Sequence, residues 1–252
     1  MILNAVSMGE GPPIVVLPGL FGQAGNFGVV QRRLARDFRV IVMDLRNHGA
    51  SPHARGMGYA ALAGDVRATL EHLGLSACGI LGHSMGGKVA MVLALTAPDV
   101  VGRLLVADIA PVAHPPRFRA IAAAMAGIPL TPGLTRADAD ARLTDAVADA
   151  ATRAFLLQNL RVGAAPAWKI GLAEITAGLP EIEGFPALDV PPFGGTALFL
   201  SGARSDFVRP EHRPVIRGLF PAARFVTLKD AGHWLHADNP DGFVAVASAF
   251  FG

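Results

Sequence analysis

The sequence predicts an α/β fold in which helices flank a mostly parallel central sheet, and two observations support this fold class. Apolar runs of strand length alternate along the chain with segments of helical periodicity. This alternation is expected when crossover helices cover both faces of a parallel sheet. Hydrophobic residues make up 52% of the 252 residues, which is enough for a large core and excludes a disordered chain.

The apolar runs are the predicted strands, and the first is a short edge strand at 2–6. The strands that we expect to be buried follow at 14–17, 39–43, 78–81, 103–109, 196–201 and 224–228. Helices with an apolar face are predicted at 26–37, 59–73, 88–95 and 240–251. Gly74 is expected to end the second helix, because glycine readily adopts the backbone conformation found just beyond a helix C-terminus.

The alternation stops between residues 113 and 193, where no strand is predicted. Helices are expected there at 117–126, 136–148 and 151–160, separated by proline and glycine. Because the segment stays rich in alanine and leucine, it is predicted to be a folded helical cap rather than a linker. The chain is therefore divided into a first core part at 1–112, a cap at 113–193 and a second core part at 194–252. The cap follows the strand that ends at Asp108.

Charge and cysteine content limit the expected partners. The chain has 22 basic and 20 acidic side chains and no basic cluster, so no nucleic-acid partner is expected. Cys78 is the single cysteine, which excludes an intrachain disulfide and a cysteine-based metal site. The first basic residue is Arg32, so the N-terminus lacks the basic region of a signal peptide and none is expected. No apolar run is long enough for a membrane span. We expect a cytoplasmic protein that is a monomer or a small homo-oligomer.

The most informative motif is a serine between two glycines, Gly82-His83-Ser84-Met85-Gly86. A predicted strand ends just before it and a predicted helix begins just after it, which is the context of a nucleophile elbow. The sharp turn strains the serine backbone, so the flanking positions must be small and the hydroxyl stands free above the sheet. The following amides lie at a helix N-terminus, which favours negative charge. The motif therefore predicts that Ser84 is a nucleophile.

A serine hydroxyl needs a base to take its proton, and His233 is the predicted base. It follows the last predicted strand, and sites in α/β sheets gather beyond the carboxyl ends of the strands. Two aspartates could orient its imidazole. Asp108 ends an apolar strand, where an unpaired carboxylate is costly, whereas Asp206 lies in a polar loop. This cost favours Asp108 and leaves Asp206 as the alternative acid.

The developing oxyanion needs two backbone N–H donors. The residue after the nucleophile, Met85, is one predicted donor, and Leu20 in the loop after the first core strand is the other, with Phe21 as an alternative. Apolar side chains from this loop, from the cap and from the loop after the base are predicted to line the substrate pocket. They are Leu20, Phe21, Phe155, Leu156 and Trp234.

Five motifs together resemble the α/β-hydrolase superfamily, and more narrowly the YbfF-type esterases and related abhydrolase-domain proteins. They are Leu17-Pro18-Gly19-Leu20-Phe21-Gly22, Asp44-Leu45-Arg46-Asn47-His48-Gly49-Ala50-Ser51, Gly82-His83-Ser84-Met85-Gly86-Gly87-Lys88, Asp108-Ile109-Ala110-Pro111 and Gly232-His233-Trp234-Leu235-His236. The resemblance implies an α/β-hydrolase fold and a serine esterase with a helical cap and no cofactor. It also implies that the acid is Asp108, whereas the superfamily's usual acid position aligns with Ser205.

These observations predict hydrolysis of carboxylic esters with small-to-medium apolar acyl groups through an acyl-enzyme on Ser84. The expected partner is therefore a small-molecule ester. Thioesterase, lactonase, amidase, perhydrolase and carbon–carbon hydrolase activities would use the same residues and are alternatives. A non-catalytic ligand-binding protein with this fold is a further alternative, which the presence of both Ser84 and His233 disfavours.

Overall fold

The computed structural model describes residues 1–252, and seven of its nine strands form one sheet. The strands are β1 (Ala5–Met8), β2 (Pro13–Leu17), β3 (Arg39–Met43), β4 (Cys78–His83), β5 (Val101–Ala107), β6 (Leu160–Arg161), β7 (Ala167–Trp168), β8 (Thr196–Gly202) and β9 (Ala223–Leu228). The sheet has the order β1-β3-β2-β4-β5-β8-β9. Within this seven-stranded sheet only β1 is antiparallel to its neighbour, so the predicted mostly parallel sheet is confirmed.

Ten α-helices accompany the strands. They are α1 (Gly28–Leu34), α2 (Tyr59–His72), α3 (Met85–Thr96), α4 (Arg119–Ala126), α5 (Arg136–Leu143), α6 (Ala150–Leu157), α7 (Leu172–Glu183), α8 (Arg213–Leu219), α9 (Leu235–Asp238) and α10 (Pro240–Phe251). Short 3₁₀ helices lie at Ala24–Phe27, Pro98–Val100 and Pro210–His212. None of the helices is both long enough and apolar enough to cross a membrane.

The core has two parts because the buried strands alternate their side chains between the two faces of the sheet. Val15 and Ile80 point to the face that is covered by α2 and α3. Their neighbours Val16 and Leu81 point to the opposite face, which α1 and α10 cover. All four side chains are fully buried. Continuous apolar runs are therefore the correct pattern for these strands, as the sequence predicted.

Several predicted boundaries are wrong. The edge strand lies at Ala5–Met8 instead of 2–6, and the predicted helix at 26–37 is a 3₁₀ turn followed by the shorter α1. The strand β5 ends at Ala107, and Asp108 lies just beyond it with a φ of 52°. A residue with this left-handed backbone conformation cannot continue a strand. The strand β5 therefore ends before the predicted boundary at residue 109.

The segment between β5 and β8 is mostly helical, but it is not only helical. The strands β6 and β7 form an antiparallel hairpin in it, and the helices predicted at 136–148 and 151–160 end early, at Leu143 and Leu157. The helix α7 was not predicted, and it contains Pro180, a residue type that is unfavourable inside a helix. Two-residue strands are too short to show a periodic pattern in the sequence.

The connections place four loops at one edge of the sheet. The loops after β2, β4, β5 and β9 all begin at the carboxyl ends of parallel strands, so they meet at this edge. The segment that carries α4–α7 packs over the same edge. Asn159 holds it there, because its buried side-chain amide donates a 2.8 Å hydrogen bond to the carbonyl oxygen of Phe21.

Candidate active site

Ser84 occupies a sharp turn between β4 and α3. Its φ of 53° and ψ of −122° lie outside the regions that L-residues ordinarily adopt. The turn is packed against backbone on both sides. A Cβ atom at Gly86 would lie 2.2 Å from the carbonyl oxygen of Leu17, and one at Gly82 would lie 2.3 Å from that of Gly86. Only glycine fits at these two positions, which is the physical reason for the Gly-x-Ser-x-Gly spacing.

A continuous hydrogen-bonded chain joins Ser84, His233 and Asp108. The Ser84 Oγ atom lies 3.0 Å from His233 Nε2, and His233 Nδ1 lies 2.7 Å from Asp108 Oδ2. Asp108 is fully buried, and its other carboxylate oxygen accepts a 3.0 Å hydrogen bond from the Gly202 amide. Ser205 donates to the same oxygen that faces His233. The buried carboxylate is therefore fully paired, as a charge in this position must be.

Asp206 is not part of this chain. Its carboxylate is more than half exposed and forms a 2.6 Å ion pair with Arg117. The hydrogen bonds from the Arg117 guanidinium hold the pKa of Asp206 below its ordinary value. The adjacent residue Ser205 contacts Asp108 instead, so the loop after β8 supports the carboxylate of Asp108 with a hydroxyl group rather than supplying its own acid to His233.

Two aromatic neighbours hold the His233 ring and its loop. The ring of Phe207 stacks on that of His233 with a centroid separation of 3.9 Å. The buried His83 side chain lies with Nε2 2.8 Å from the carbonyl oxygen of His233. Because a carbonyl oxygen only accepts, this nitrogen carries the proton. Burial, together with the nearby His233 and His236, lowers the pKa of His83 well below its ordinary value, so His83 is neutral.

Two backbone N–H groups border Ser84 at the positions predicted for an oxyanion site. The loop after β2 comes close, since a Cβ atom at Gly19 would lie 3.1 Å from the Cβ atom of Ser84. The next residue, Leu20, is buried, and its N–H makes no hydrogen bond. Met85 is the first residue of α3, where an N–H group has no partner within the helix. Both groups are therefore free to bind a negatively charged oxygen.

The apolar residues predicted to line the pocket share one cavity with Ser84 and His233. This first cavity has a volume of about 560 Å³, including space that is open to solvent, and it is bordered by the loop after β2, by α6 and by the loop after β9. Its walls include all the predicted apolar residues, which are Leu20, Phe21, Phe155, Leu156 and Trp234. The rings of Phe155 and Trp234 face each other at 5.6 Å between centroids, which joins α6 to the core.

Comparison with known proteins places this arrangement in a family. The family model described as alpha/beta hydrolase fold matches residues 12–240. The chain belongs to the alpha/beta hydrolase family. It is 41% identical over 248 residues to the sn-1-specific diacylglycerol lipase ABHD11 of Mus musculus, covering 95% of this chain and 80% of that protein. It is 36% identical over 230 residues to esterase YbfF of Escherichia coli (strain K12), covering 91% and 89%.

A solved structure gives the same result for the whole fold. A structure described as a marine microorganism esterase superposes on this alpha/beta hydrolase with a TM-score of 0.95, at 34% sequence identity and 99% coverage of both chains. The family assignment and the fold class predicted from the motifs are therefore confirmed. No group of three or more His, Cys, Asp or Glu side chains is close enough in this alpha/beta hydrolase to hold a metal ion.

A second cavity of this alpha/beta hydrolase was not predicted. It also reaches Ser84, but its walls contain Lys88, His114 and Glu183. Lys88 is buried, and its ammonium donates hydrogen bonds of 3.2 and 2.5 Å to the carbonyl oxygens of Glu183 and Gly184. Burial lowers the pKa of Lys88 to about 8, although the nearby Glu183 carboxylate opposes this shift. The sequence did contain a signal for this polar site, which is a lysine inside the apolar run of α3. A buried ammonium needs polar partners, so such a lysine indicates polar groups nearby.

Proposed function

We propose that this alpha/beta hydrolase is a carboxylic ester hydrolase in which Ser84, His233 and Asp108 form the catalytic triad. The single observation that carries the proposal is the hydrogen-bonded chain from Ser84 Oγ through the imidazole of His233 to the buried Asp108 carboxylate. The free N–H groups of Leu20 and Met85 beside Ser84 support it. Relatives that cover most of the chain are named esterase and lipase, which supports the same reaction class.

Catalysis begins when His233 Nε2 takes the proton of Ser84 and the serine oxygen attacks the carbonyl carbon of the ester. The carbonyl oxygen becomes an oxyanion that the N–H groups of Leu20 and Met85 stabilise. The Nδ1–H group of His233 donates a hydrogen bond to the Asp108 carboxylate. This bond holds the imidazole tautomer in which Nε2 is free to act as a base, and it stabilises the imidazolium that forms. His233 then protonates the departing alcohol oxygen and leaves an acyl group on Ser84.

Water completes the cycle by the same route. His233 takes a proton from the water molecule, the hydroxide attacks the acyl carbon, and Ser84 leaves with the proton returned by His233. Phe207 and His83 keep the imidazole in place through both halves, since one packs on the ring and the other holds the backbone of the loop. The substrate is an ester of small to medium size whose apolar part packs against Phe21, Phe155, Leu156 and Trp234 in the first cavity.

The assignment of the acid is tested by measuring hydrolysis of 4-nitrophenyl butanoate with Asp108→Asn and Asp206→Asn. Asparagine at 108 keeps the shape of the side chain but favours the wrong imidazole tautomer, so kcat should fall by about 10⁴-fold. Asp206→Asn is the matched control, because this exposed carboxylate contacts Arg117 and not His233. It should retain activity within a factor of about two. Loss of activity in Asp206→Asn alone would contradict the assignment.

A further inference from the structure

The second cavity approaches Ser84 from a different side than the first cavity. Its volume is about 320 Å³, including space open to solvent, and Leu20, Ser84 and Phe118 belong to the walls of both cavities. Met85 lines only the second cavity, whereas His233 lines only the first. Phe207, which stacks on the His233 ring, forms part of the second wall and screens the imidazole from it. A substrate bonded to Ser84 can therefore place different groups in the two cavities.

The chemistry of the proposed reaction decides which group enters which cavity. The departing alcohol oxygen must lie beside His233 Nε2, because that nitrogen protonates it. The alcohol part therefore extends into the first cavity, where His233 is exposed to the substrate. The acyl part leaves the tetrahedral carbon in a different direction and extends past the N–H groups of Leu20 and Met85 into the second cavity. This assignment rests on the proposed function, and it places the acyl group in a more polar site than the sequence predicted.

Two charged groups in the walls of the second cavity have unused hydrogen-bonding capacity. An ammonium has three N–H donors, and Lys88 uses two of them on backbone carbonyl oxygens. The Glu183 carboxylate is buried, with 6% of its surface exposed, and its Oε2 accepts a 3.0 Å ion-paired hydrogen bond from Arg119. Its Oε1 is buried and has no partner. A buried carboxylate oxygen without a partner is costly, and a donor on a bound substrate would remove that cost.

We propose that the second cavity binds a hydroxyl group carried by the acyl part of the substrate. A hydroxyl donates one hydrogen bond and accepts others, so it can donate to Glu183 Oε1 and accept from Lys88 Nζ at the same time. An ammonium on the acyl chain would be repelled by Lys88, and an ionised carboxylate has no hydrogen to donate to Glu183 Oε1. The Arg119 guanidinium pairs with Oε2 of the Glu183 carboxylate, which leaves Oε1 for the substrate hydroxyl. The substrate class is therefore a short-chain ester with a neutral hydroxyl on its acyl group.

The first test uses the unmodified enzyme and two esters of the same shape. Each enantiomer of 4-nitrophenyl 3-hydroxybutanoate is compared with 4-nitrophenyl 3-methylbutanoate, and each kcat/KM is divided by the rate of alkaline hydrolysis to remove intrinsic reactivity. A hydrogen bond to a charged group should make one enantiomer better than the methyl ester by about tenfold or more. A normalised ratio of one or less for both enantiomers would overturn the proposal. Failure to hydrolyse any of these esters, including the butanoate, would overturn the proposed function as well.

The second test locates the preference within the cavity. Glu183→Gln places an amide N–H donor where Oε1 now accepts, so the hydroxyl loses its acceptor and the preference for the hydroxy ester should fall about tenfold. The readout is the ratio of kcat/KM values for the two esters, which a general loss of folded protein does not change. Glu181→Gln is the control, because this residue lies on the same helix, is exposed and does not line the cavity. An unchanged ratio in Glu183→Gln would contradict the proposal even if the unmodified enzyme prefers the hydroxy ester.

Discussion

At the scale of single residues, the carboxylate that contacts His233 follows from the cost of burying charge. Asp108 comes at the end of an apolar run, and an unpaired carboxylate there would be strongly unfavourable, so the sequence already favoured it over Asp206. The structure gives Asp108 three partners, including His233, and leaves Asp206 with Arg117. The sequence could not show that Ser205, the residue at the superfamily's usual acid position, would donate to Asp108.

Ser205 therefore carries a prediction of its own. Ser205→Ala removes one hydrogen bond to the carboxylate oxygen that faces His233, so the imidazole is held less firmly and kcat/KM for 4-nitrophenyl butanoate should fall about tenfold. Ser201→Ala is the matched control, because Ser201 lies nearby in β8 and its hydroxyl contacts only Thr227. An equal effect of the two substitutions would show that the contact with Asp108 has no role in catalysis.

Other residues of the site could not be found by pattern alone. Phe207 and Glu183 have no motif around them, and each reaches the site from a loop or helix whose position depends on tertiary packing. Lys88 was visible as an isolated charge in an apolar helix, but its partners are the backbone carbonyls of Glu183 and Gly184 at the end of α7. Because they lie 95 and 96 residues further along the chain, the sequence shows that a partner is needed without showing which one it is.

At the scale of structural elements, the elbow was predictable because its geometry leaves almost no choice of residue. The strand, the strained serine and the helix all follow from local sequence, and the two glycines are required by backbone atoms only 2.2 to 2.3 Å from their missing Cβ positions. The helix α7 was not predictable in the same way. Proline inside a helix costs a hydrogen bond, so Pro180 disfavours a helix locally, and tertiary packing of buried side chains such as Ile175 and Leu179 outweighs that cost.

The elbow gives a direct test of this steric argument. Gly86→Ala should destabilise the fold by about 3 kcal/mol or more, because the added Cβ would collide with the backbone of Leu17, which cannot move like a flexible side chain. Urea unfolding followed by circular dichroism measures the change. Gly64→Ala is the control in α2, where nothing lies within 4 Å of the added Cβ. It should stabilise the protein by about 1 kcal/mol, since alanine is the better helix former. The same sign for both substitutions would contradict the argument.

At the scale of the whole molecule, the fold was more predictable than the cavities. Alternating apolar runs and helices determine a parallel sheet, and the carboxyl ends of its strands place Ser84, Asp108 and His233 at one edge. The cavities depend on how α4–α7 pack over that edge, and no local pattern specifies this packing. The second cavity takes walls from α2, α3, α7 and the loops after β5 and β8, so it exists only in the assembled molecule.

Because several histidines are buried, the free energy of unfolding of the whole molecule should depend on pH. Burial lowers the pKa of His48 to about 4 and that of His236 to about 4, so both are neutral in the folded state above this pH. In the unfolded chain the same groups take up protons near pH 6.5. The unfolded state therefore binds more protons between pH 4 and 6.5, and the free energy of unfolding falls as the pH is lowered through this range.

The contribution of His48 can be isolated by substitution. His48→Gln keeps a side-chain donor for the Arg46 carbonyl but cannot titrate. Between pH 5 and 6, the slope of unfolding free energy against pH should be smaller in the variant by about 1.2 kcal/mol per pH unit, because the unfolded state binds nearly one more proton at His48. Urea unfolding at several pH values measures both slopes. Equal slopes would show that His48 takes up its proton equally in the folded and unfolded states.

Covalent labelling tests most directly that Ser84 is an activated nucleophile. The folded protein is treated with a fluorophosphonate, and the intact mass and the peptide containing Ser84 are measured by mass spectrometry. One adduct per chain is expected, located on Ser84. Labelling should be abolished in Ser84→Ala and strongly slowed in Asp108→Asn, whereas Asp206→Asn should react like the unmodified protein. A folded protein that forms no adduct, or one that is modified at a residue other than Ser84, would contradict the account.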